Sequence, residues 1–593
     1  MKISPTRAAL AGLLLAGVAA AGLAPALGQE TPESLLPPGF NDPPAPAPPP
    51  RAAPPAAPQG AAPTPAAAEA EDVPAGNDSA GEETATAEDL AKYEIPEYAR
   101  RSLGRIGVYA AGNDPFPADA FGRADGRFLA TLMRRLDAPV ASRWMSIALR
   151  RALLSPTRTP ANVNGADYAA ERAWLLIRMG ESVAARAVVQ DVDLENYTPR
   201  LYQVAMQSAL ASADPAAMCG IADPAAGLLS ERGWRLARAM CAGLGGQPRL
   251  AGQLLDQARG GTGPGDIDTL LAEKVLGAGA QGRRAVTIEW QGVDRLDAWR
   301  WGLAIATGEQ VPDSLYARVG PQVRYWYALS PIPEARNRVA SAELAAAQGV
   351  FSNAGLVDLY GEIEQQGDAA SADVAVARDL RTAYTDSEPA DRMTALRTLW
   401  AEPQTPRTRY ARLVLTARAA AAIAPSGTFA GDADTLVAAM LTAGIEGPAL
   451  AWRGTVRRGS DGWAMLALID PTAARVTASD FDSYRGSASA RKAQLALAGL
   501  AGLGKLDPAD ARRFAVQLDV GLGAANSWTQ AIDNAGVRRD PGTVALLAAV
   551  GMQSRSWDRV TPEALFHMVA ALRVSGMGQY ARLIAVEAIT RAS

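Results

Sequence analysis

The chain has 593 residues, of which 48% are hydrophobic, 20% charged and 6% aromatic, with a formal net charge of −4. Its bases are 53 Arg and 5 Lys, beside one His and two Cys. Such counts exclude a zinc ribbon, a disulfide-dense mini-domain and a polybasic nucleic-acid binder, while leaving ample apolar material for a packed core.

The first element in chain order is an export signal. Lys2 and Arg7 precede an uncharged apolar run, Ala8 to Leu27, which Pro25 interrupts. Ala26-Leu27-Gly28 places small residues where a signal peptidase reads, so cleavage is expected between Gly28 and Gln29. The rival reading keeps this run as a membrane anchor, since about 20 apolar residues suffice to span a bilayer. Cleavage implies a periplasmic or secreted chain in an oxidising compartment; retention implies an inner-membrane anchor.

Residues 29–91 change character. Fifteen of the 41 prolines lie between Pro32 and Pro74. Proline fixes φ and lacks a backbone donor, so this stretch favours extended polyproline geometry and reads as a disordered linker. It carries eleven acids and one base, Arg51, for a net charge of −10; residues 92–593 are left with net +4. That mild balance argues against a nucleic-acid partner.

From residue 92 onward the pattern is helical. Ala170, Ala173, Trp174 and Ile177 fall at offsets 0, 3, 4 and 7, as do Leu565, Met568, Val569 and Leu572. Val183, Ala187 and Val188 suggest a further stripe, and Tyr580, Leu583 and Ile584 another. Asp214-Pro215, Asp223-Pro224, Asp507-Pro508, Asp540-Pro541 and Thr561-Pro562 each set a capping side chain before a proline suited to the first helical position. The best strand signal is short, Ala285 to Ile288. Helix–Gly–helix units recur around Gly180, Gly245, Gly308, Gly349, Gly502 and Gly576. These observations predict an all-α body of helical-hairpin repeats forming a solenoid or superhelix over residues 92–593, as one unit or two.

The segments Trp174–Val189 and Trp234–Leu255 overlay as aromatic, apolar, Gly turn and Ala/Leu stripe. In this they resemble tetratricopeptide-like helical hairpins and the superhelical, non-catalytic part of soluble lytic transglycosylases. The resemblance implies a binding surface, and leaves a peptidoglycan-processing or glycan-binding protein as the alternative.

Several fragments look like chemistry and lack its context. Gly277-Ala278-Gly279-Ala280-Gln281-Gly282 follows a helical stripe, where a dinucleotide site needs a strand. Gly499 to Lys505 resembles a phosphate loop, but Leu506 replaces the required hydroxyl. Ser489-Ala490-Arg491-Lys492 matches S-x-x-K without its companion elements. Glu181-Ser182 is similar to the catalytic Glu-Ser of lytic transglycosylases, yet the Gly-Leu-Met-Gln segment of that family is missing, and Glu181 reads as a helix-start acid. His567, off the 565/568/569/572 stripe, reads as a partly exposed helix residue, and one His cannot build a multi-His metal site. Trp290, Trp299, Trp301, Tyr325, Trp326 and Tyr327 read mainly as plugs between Ala-rich helices and mark where a ligand groove is to be sought. Cys219 and Cys241, 22 residues apart, are expected to form a disulfide that closes a loop worth about 3 kcal/mol in the chain-entropy model. With no cofactor, metal or intact catalytic set called for, the chain reads as a non-enzymatic envelope scaffold that binds a protein or peptide, touching membrane only if the N-terminal helix is retained.

Overall fold

The computed structural model describes residues 94–110, 116–259, 266–279, 286–366, 371–472 and 475–592. The expected signal, the expected Gly28–Gln29 cleavage site and the expected 29–91 linker lie outside these. The chain divides into two units, Leu36–Arg101 and Met1–Leu35 with Ser102–Ser593. Of the former, the described residues hold one 3-10 turn, Glu97–Ala99.

The body from Ser102 onward is all-α, with 27 α-helices among the described residues. Its single sheet there is a two-residue antiparallel pair, Arg105–Ile106 against Thr157–Arg158, with Arg105 opposite Arg158. The expected strand near Ala285 does not form: Ala285 lies outside the described residues, and Val286 to Ile288 run without sheet partners. A short segment with no neighbouring strand cannot satisfy its backbone as a sheet.

The helical stripes are where periodicity placed them. Ala170, Ala173, Trp174 and Ile177 are buried in helix Gly165–Met179, and Leu565, Met568, Val569 and Leu572 in helix Pro562–Val574. Two details differ. Val183 is 59% exposed, because helix Ser182–Gln190 turns Ser182, Ala185, Val188 and Val189 inward instead. Asp223 does not cap a helix: Ala222 opens that helix, and Asp223 sits in its first turn paired to Arg238 at 2.6 Å.

A repeated turn folds one helix onto the next. At Gly180 the backbone is left-handed (φ +90°), and the Glu181 N–H reaches back to the Leu176 carbonyl at 2.9 Å. This is the Schellman geometry, which satisfies carbonyls that the helix end would orphan. The same pair of features recurs at Gly246, Gly308, Gly349, Gly444, Gly504 and Gly576, and at three non-glycines, Ala213, Asp519 and Arg539. Small residues let the resulting hairpins close up. A Cβ on Gly302 would stand 2.5 Å from the Leu210 carbonyl oxygen of the crossing helix Pro199–Ala211.

Arginine explains much of the remaining cohesion. A helix leaves its last four carbonyls without internal donors. In this fold guanidinium groups from other helices fill that need. Arg178 donates to Leu136 (2.6 Å) and Met133 (2.5 Å) at the end of helix Gly126–Arg135. Arg392 donates to Ala383, and Arg573 to Gly502, each at 3.0 Å. Arg143 reaches both Thr442 (3.1 Å) and Ala346, which end two different helices. A planar fork of five donors serves several carbonyls at once, which an ammonium on a flexible stem does less well. The excess of Arg over Lys thereby gains a structural reason.

Helix Arg143–Leu154 is the hub. It packs on Gly165–Met179, on Ala335–Gln348 and on two helices from the far end of the body, Pro541–Gly551 and Gly578–Arg591. Its N-terminus is met by the buried carboxylate of Glu587, which accepts from Ser142 Oγ (2.6 Å), Arg143 N (2.8 Å) and Trp144 N (3.1 Å). Its C-terminus is met by the fully buried Arg172, which donates to Leu153 O (2.6 Å) and Ser155 O (2.8 Å), and on to Ile106 O (2.7 Å). Anion at the positive end and cation at the negative end both favour the helix macrodipole. Burial holds the Arg172 guanidinium down to about 10, yet it remains charged at neutral pH.

Two stability outcomes follow from this geometry. Arg539 is exposed and left-handed (φ +59°), a conformation that costs an L-residue roughly 1–2 kcal/mol. Arg539→Gly is therefore expected to stabilise the body by about 1 kcal/mol in chemical denaturation. Glu587→Ala strands the N-terminal donors of the hub helix and the Arg591 cation, and is expected to cost about 3–5 kcal/mol, read as a lowered denaturation midpoint.

Candidate functional site

A cleft of about 500 Å³ opens where helices Ala298–Ala306, Gln322–Leu329 and Ala335–Gln348 meet the one-turn helix Asp313–Tyr316. Local chemistry sets each wall. Asp297 caps the first helix through the Arg300 N–H (2.9 Å), and Gly308 ends it in a left-handed turn. Pro331 and Pro333 keep the 330–334 connection out of either helix, so the exposed Ile332 forms a lip.

The floor is aromatic. Tyr316 and Tyr327 meet edge to face with ring centroids 6.4 Å apart. The Arg324 guanidinium lies 4.5 Å above the Tyr316 ring and pairs with Asp313 at 3.0 Å. Behind them Trp301, wholly buried, donates its Nε1–H to Tyr316 Oη (3.2 Å) and packs against Trp326 at 5.4 Å. Trp326 in turn donates to the Ile177 carbonyl (3.1 Å), tying the cleft to the end of helix Gly165–Met179. Burial pushes the Tyr316 phenol up to about 12, so it keeps its proton and remains a donor.

The cleft carboxylates are engaged. Glu309 pairs with Lys274, Asp313 with Arg324, and Glu334 with Arg336 at 2.6 Å. Asn337 and Gln310 add neutral amides to the lining, and a second groove of about 220 Å³, reaching Ile363 and Gln366, shares Glu334 with the first. The surface suits recognition of a partly apolar, hydrogen-bonding ligand more than proton transfer, which needs a carboxyl free to exchange its proton.

Of the six aromatics singled out from sequence, Tyr327 lines this cleft and Trp301 and Trp326 form its backing. Tyr325 lines a different, smaller cavity. Trp299 donates to Asp268 O at 3.2 Å, and Trp290 is half-buried away from the cleft lining. Sequence reading missed Tyr316. Its only signal is an aromatic residue standing between Pro312 and Pro321, in a segment too short for a periodic stripe.

The motif-like fragments have structural occupations. Gly277 and Gly279 end helix Ile267–Gly279, and the rest of that glycine pattern lies outside the described residues. Ser489 caps helix Ala490–Gly502, and Lys492 pairs with Asp461 at 2.6 Å. Glu181 precedes helix Ser182–Gln190, is 5% exposed and binds Arg150 at 2.7 Å; burial raises its carboxyl above the ordinary range. His567 is not partly exposed but buried, because helix Ser527–Val537 covers it and Asp533 holds its Nδ1 at 2.9 Å. Cys219 and Cys241 form a disulfide, with Cα atoms 5.2 Å apart. Among the described residues no cluster of three or more His, Cys, Asp or Glu is arranged to hold a metal, and no helix is long and apolar enough to cross a membrane.

A scan against protein-family models, a search of curated proteins and a search of solved structures each found no match.

Lys505, the would-be phosphate lysine, donates instead to the Ala467 (2.7 Å) and Asp470 (2.5 Å) carbonyls that close helix Asp461–Ile469. Burial lowers its ammonium to about 8 from 10.5. The folded state therefore gives up this proton before the unfolded state does, and the group contributes a stability that rises with pH between about 8 and 10.5. Urea denaturation at pH 7.5 and 9.5 is expected to show that rise in the wild type and a flatter profile in Lys505→Gln.

Proposed function

We propose that this chain is an exported, non-enzymatic binding protein of the cell envelope, whose helical body presents the Tyr316–Tyr327 cleft to a protein or peptide partner. The observation that carries this reading is the cleft itself: a stacked Arg324, two edge-to-face tyrosines and neutral amides, with each carboxylate paired to a cation. Aromatic and arginine side chains in a lined depression are the usual anchors of protein interfaces. The Lys2/Arg7 and Ala8–Leu27 leader supports a periplasmic or secreted location, and the Cys219–Cys241 disulfide is consistent with an oxidising compartment. Consecutive hairpins joined by a repeated turn support kinship of design with tetratricopeptide-like arrays, in which stacked hairpins offer a surface for partners.

A glycan in the same cleft is the second reading, favoured by the Tyr rings and by Asn337 and Gln310, groups that stack on and hydrogen-bond to sugars. The experiment captures partners from envelope extract on immobilised mature protein, in parallel with Tyr327→Ala. A defined partner retained at least about tenfold better by the wild type supports the reading, as truncating an aromatic anchor costs about 2 kcal/mol or more. Equal retention by both proteins overturns it. Cleared peptidoglycan in a zymogram, abolished by Glu181→Gln, overturns it in favour of an enzyme.

A further inference from the structure

Away from that cleft, five stretches distant in sequence converge on a cavity of about 30 Å³: the 137–140 loop, Pro321 to Tyr325, Gln348, Arg407 and the 554–555 turn. The volume admits one or two water-sized atoms. Tyr325 is wholly buried and lines this cavity, yet its hydroxyl has no hydrogen-bond partner. Burial raises the phenol, so it stays protonated and able to donate; the charges of Arg407 and Arg591 lie near enough to act on it.

The surroundings are electropositive. Arg407 donates through Nη2 to Arg555 O (3.3 Å), and among the described residues neither Arg407 nor Arg555 takes part in an ion pair. Gln322 opens helix Gln322–Leu329, whose positive end has no side-chain cap and borders the space, whereas helix Pro406–Ala421, which carries Arg407 in its first turn, is already closed by a Thr405–Thr408 capping box. Gln348 is already committed to Val140 O (2.7 Å) and Ser146 Oγ (2.8 Å). One acid, Asp137, shares the lining.

We propose that this cavity binds one small monovalent anion, a halide or formate, through the Tyr325 hydroxyl and the Arg407 guanidinium. The buried Tyr325 hydroxyl has no acceptor among the described residues, and it shares its cavity with Arg407, Arg555 and the uncapped N-terminus of helix Gln322–Leu329, so an anion is the group that meets this donor and this positive charge together. Because the occupied site joins segments from both ends of the body, binding stabilises the fold by mass action.

The test is thermal unfolding of the mature protein while sodium chloride or sodium formate is titrated, with ionic strength held by sodium gluconate, whose anion is too large for the space. A saturable rise in Tm with either salt is expected, and which salt acts tells halide from carboxylate. Tyr325→Phe deletes only the hydroxyl, and Arg407→Gln only the charge; each is expected to raise the half-saturating concentration at least about tenfold. Bromide-soaked crystals are expected to show an anomalous peak at hydrogen-bond distance from Tyr325 Oη. No saturable rise with either salt means that the cavity holds water alone and overturns the proposal, as does an unchanged response in both variants. The outcome is independent of whether the Tyr316–Tyr327 cleft binds a partner.

Discussion

Every α-helix ends with carbonyl groups that need donors, and the way this protein meets that need governs its architecture. Left-handed turns satisfy one set locally. Guanidinium groups arriving from other helices satisfy another, and in doing so fix which helix ends lie side by side. Burying a guanidinium with no carboxylate at hand is ordinarily unfavourable by several kcal/mol. Arg172 offsets part of that penalty because the carbonyls it meets are already polarised at a helix C-terminus and the charge of Asp191 lies near enough to act on it. The charged residues that a composition table counts as surface therefore include part of the internal framework.

The same bonds decide what the motif-like fragments are able to do. A lysine in a phosphate loop must present its ammonium to a ligand, whereas Lys505 spends two donors on a neighbouring helix. A general acid must be reachable by substrate, whereas Glu181 is closed in beneath Arg150, which also binds the Gly349 carbonyl. The side chains with the strongest chemical associations are consumed in holding helices together, and the open depression is instead lined by tyrosines, amides and ion-paired acids.

Much of the fold was legible in the residues. Period-3.6 stripes, Asp-Pro and Thr-Pro starts and glycine punctuation report local preference, and local preference won at Asp214, Asp507 and Thr561 but not at Asp223 or Asp540. The misses share one cause. Val183 continued an apolar pattern yet faces outward, His567 lay off its stripe yet is covered, and Asp223 preceded a proline yet does not cap: each was decided by which neighbour packs alongside, a fact that no single-helix pattern contains. The cleft was legible only in part for the same reason. Tyr327 sits in an aromatic run that attracts notice, but Tyr316 belongs to a single turn whose importance depends on Trp301 and Arg324 reaching it from other helices. The role of arginine as a connector was invisible beyond its abundance.

Ser142, at the entrance of the hub helix, and Glu587, its counter-ion, are 445 residues apart. A ribosome delivers the first of these long before the second. Until residue 587 is present, the N-terminal amides of the hub helix lack their carboxylate partner, so a chain ending short of it loses the contact that joins the two ends of the body.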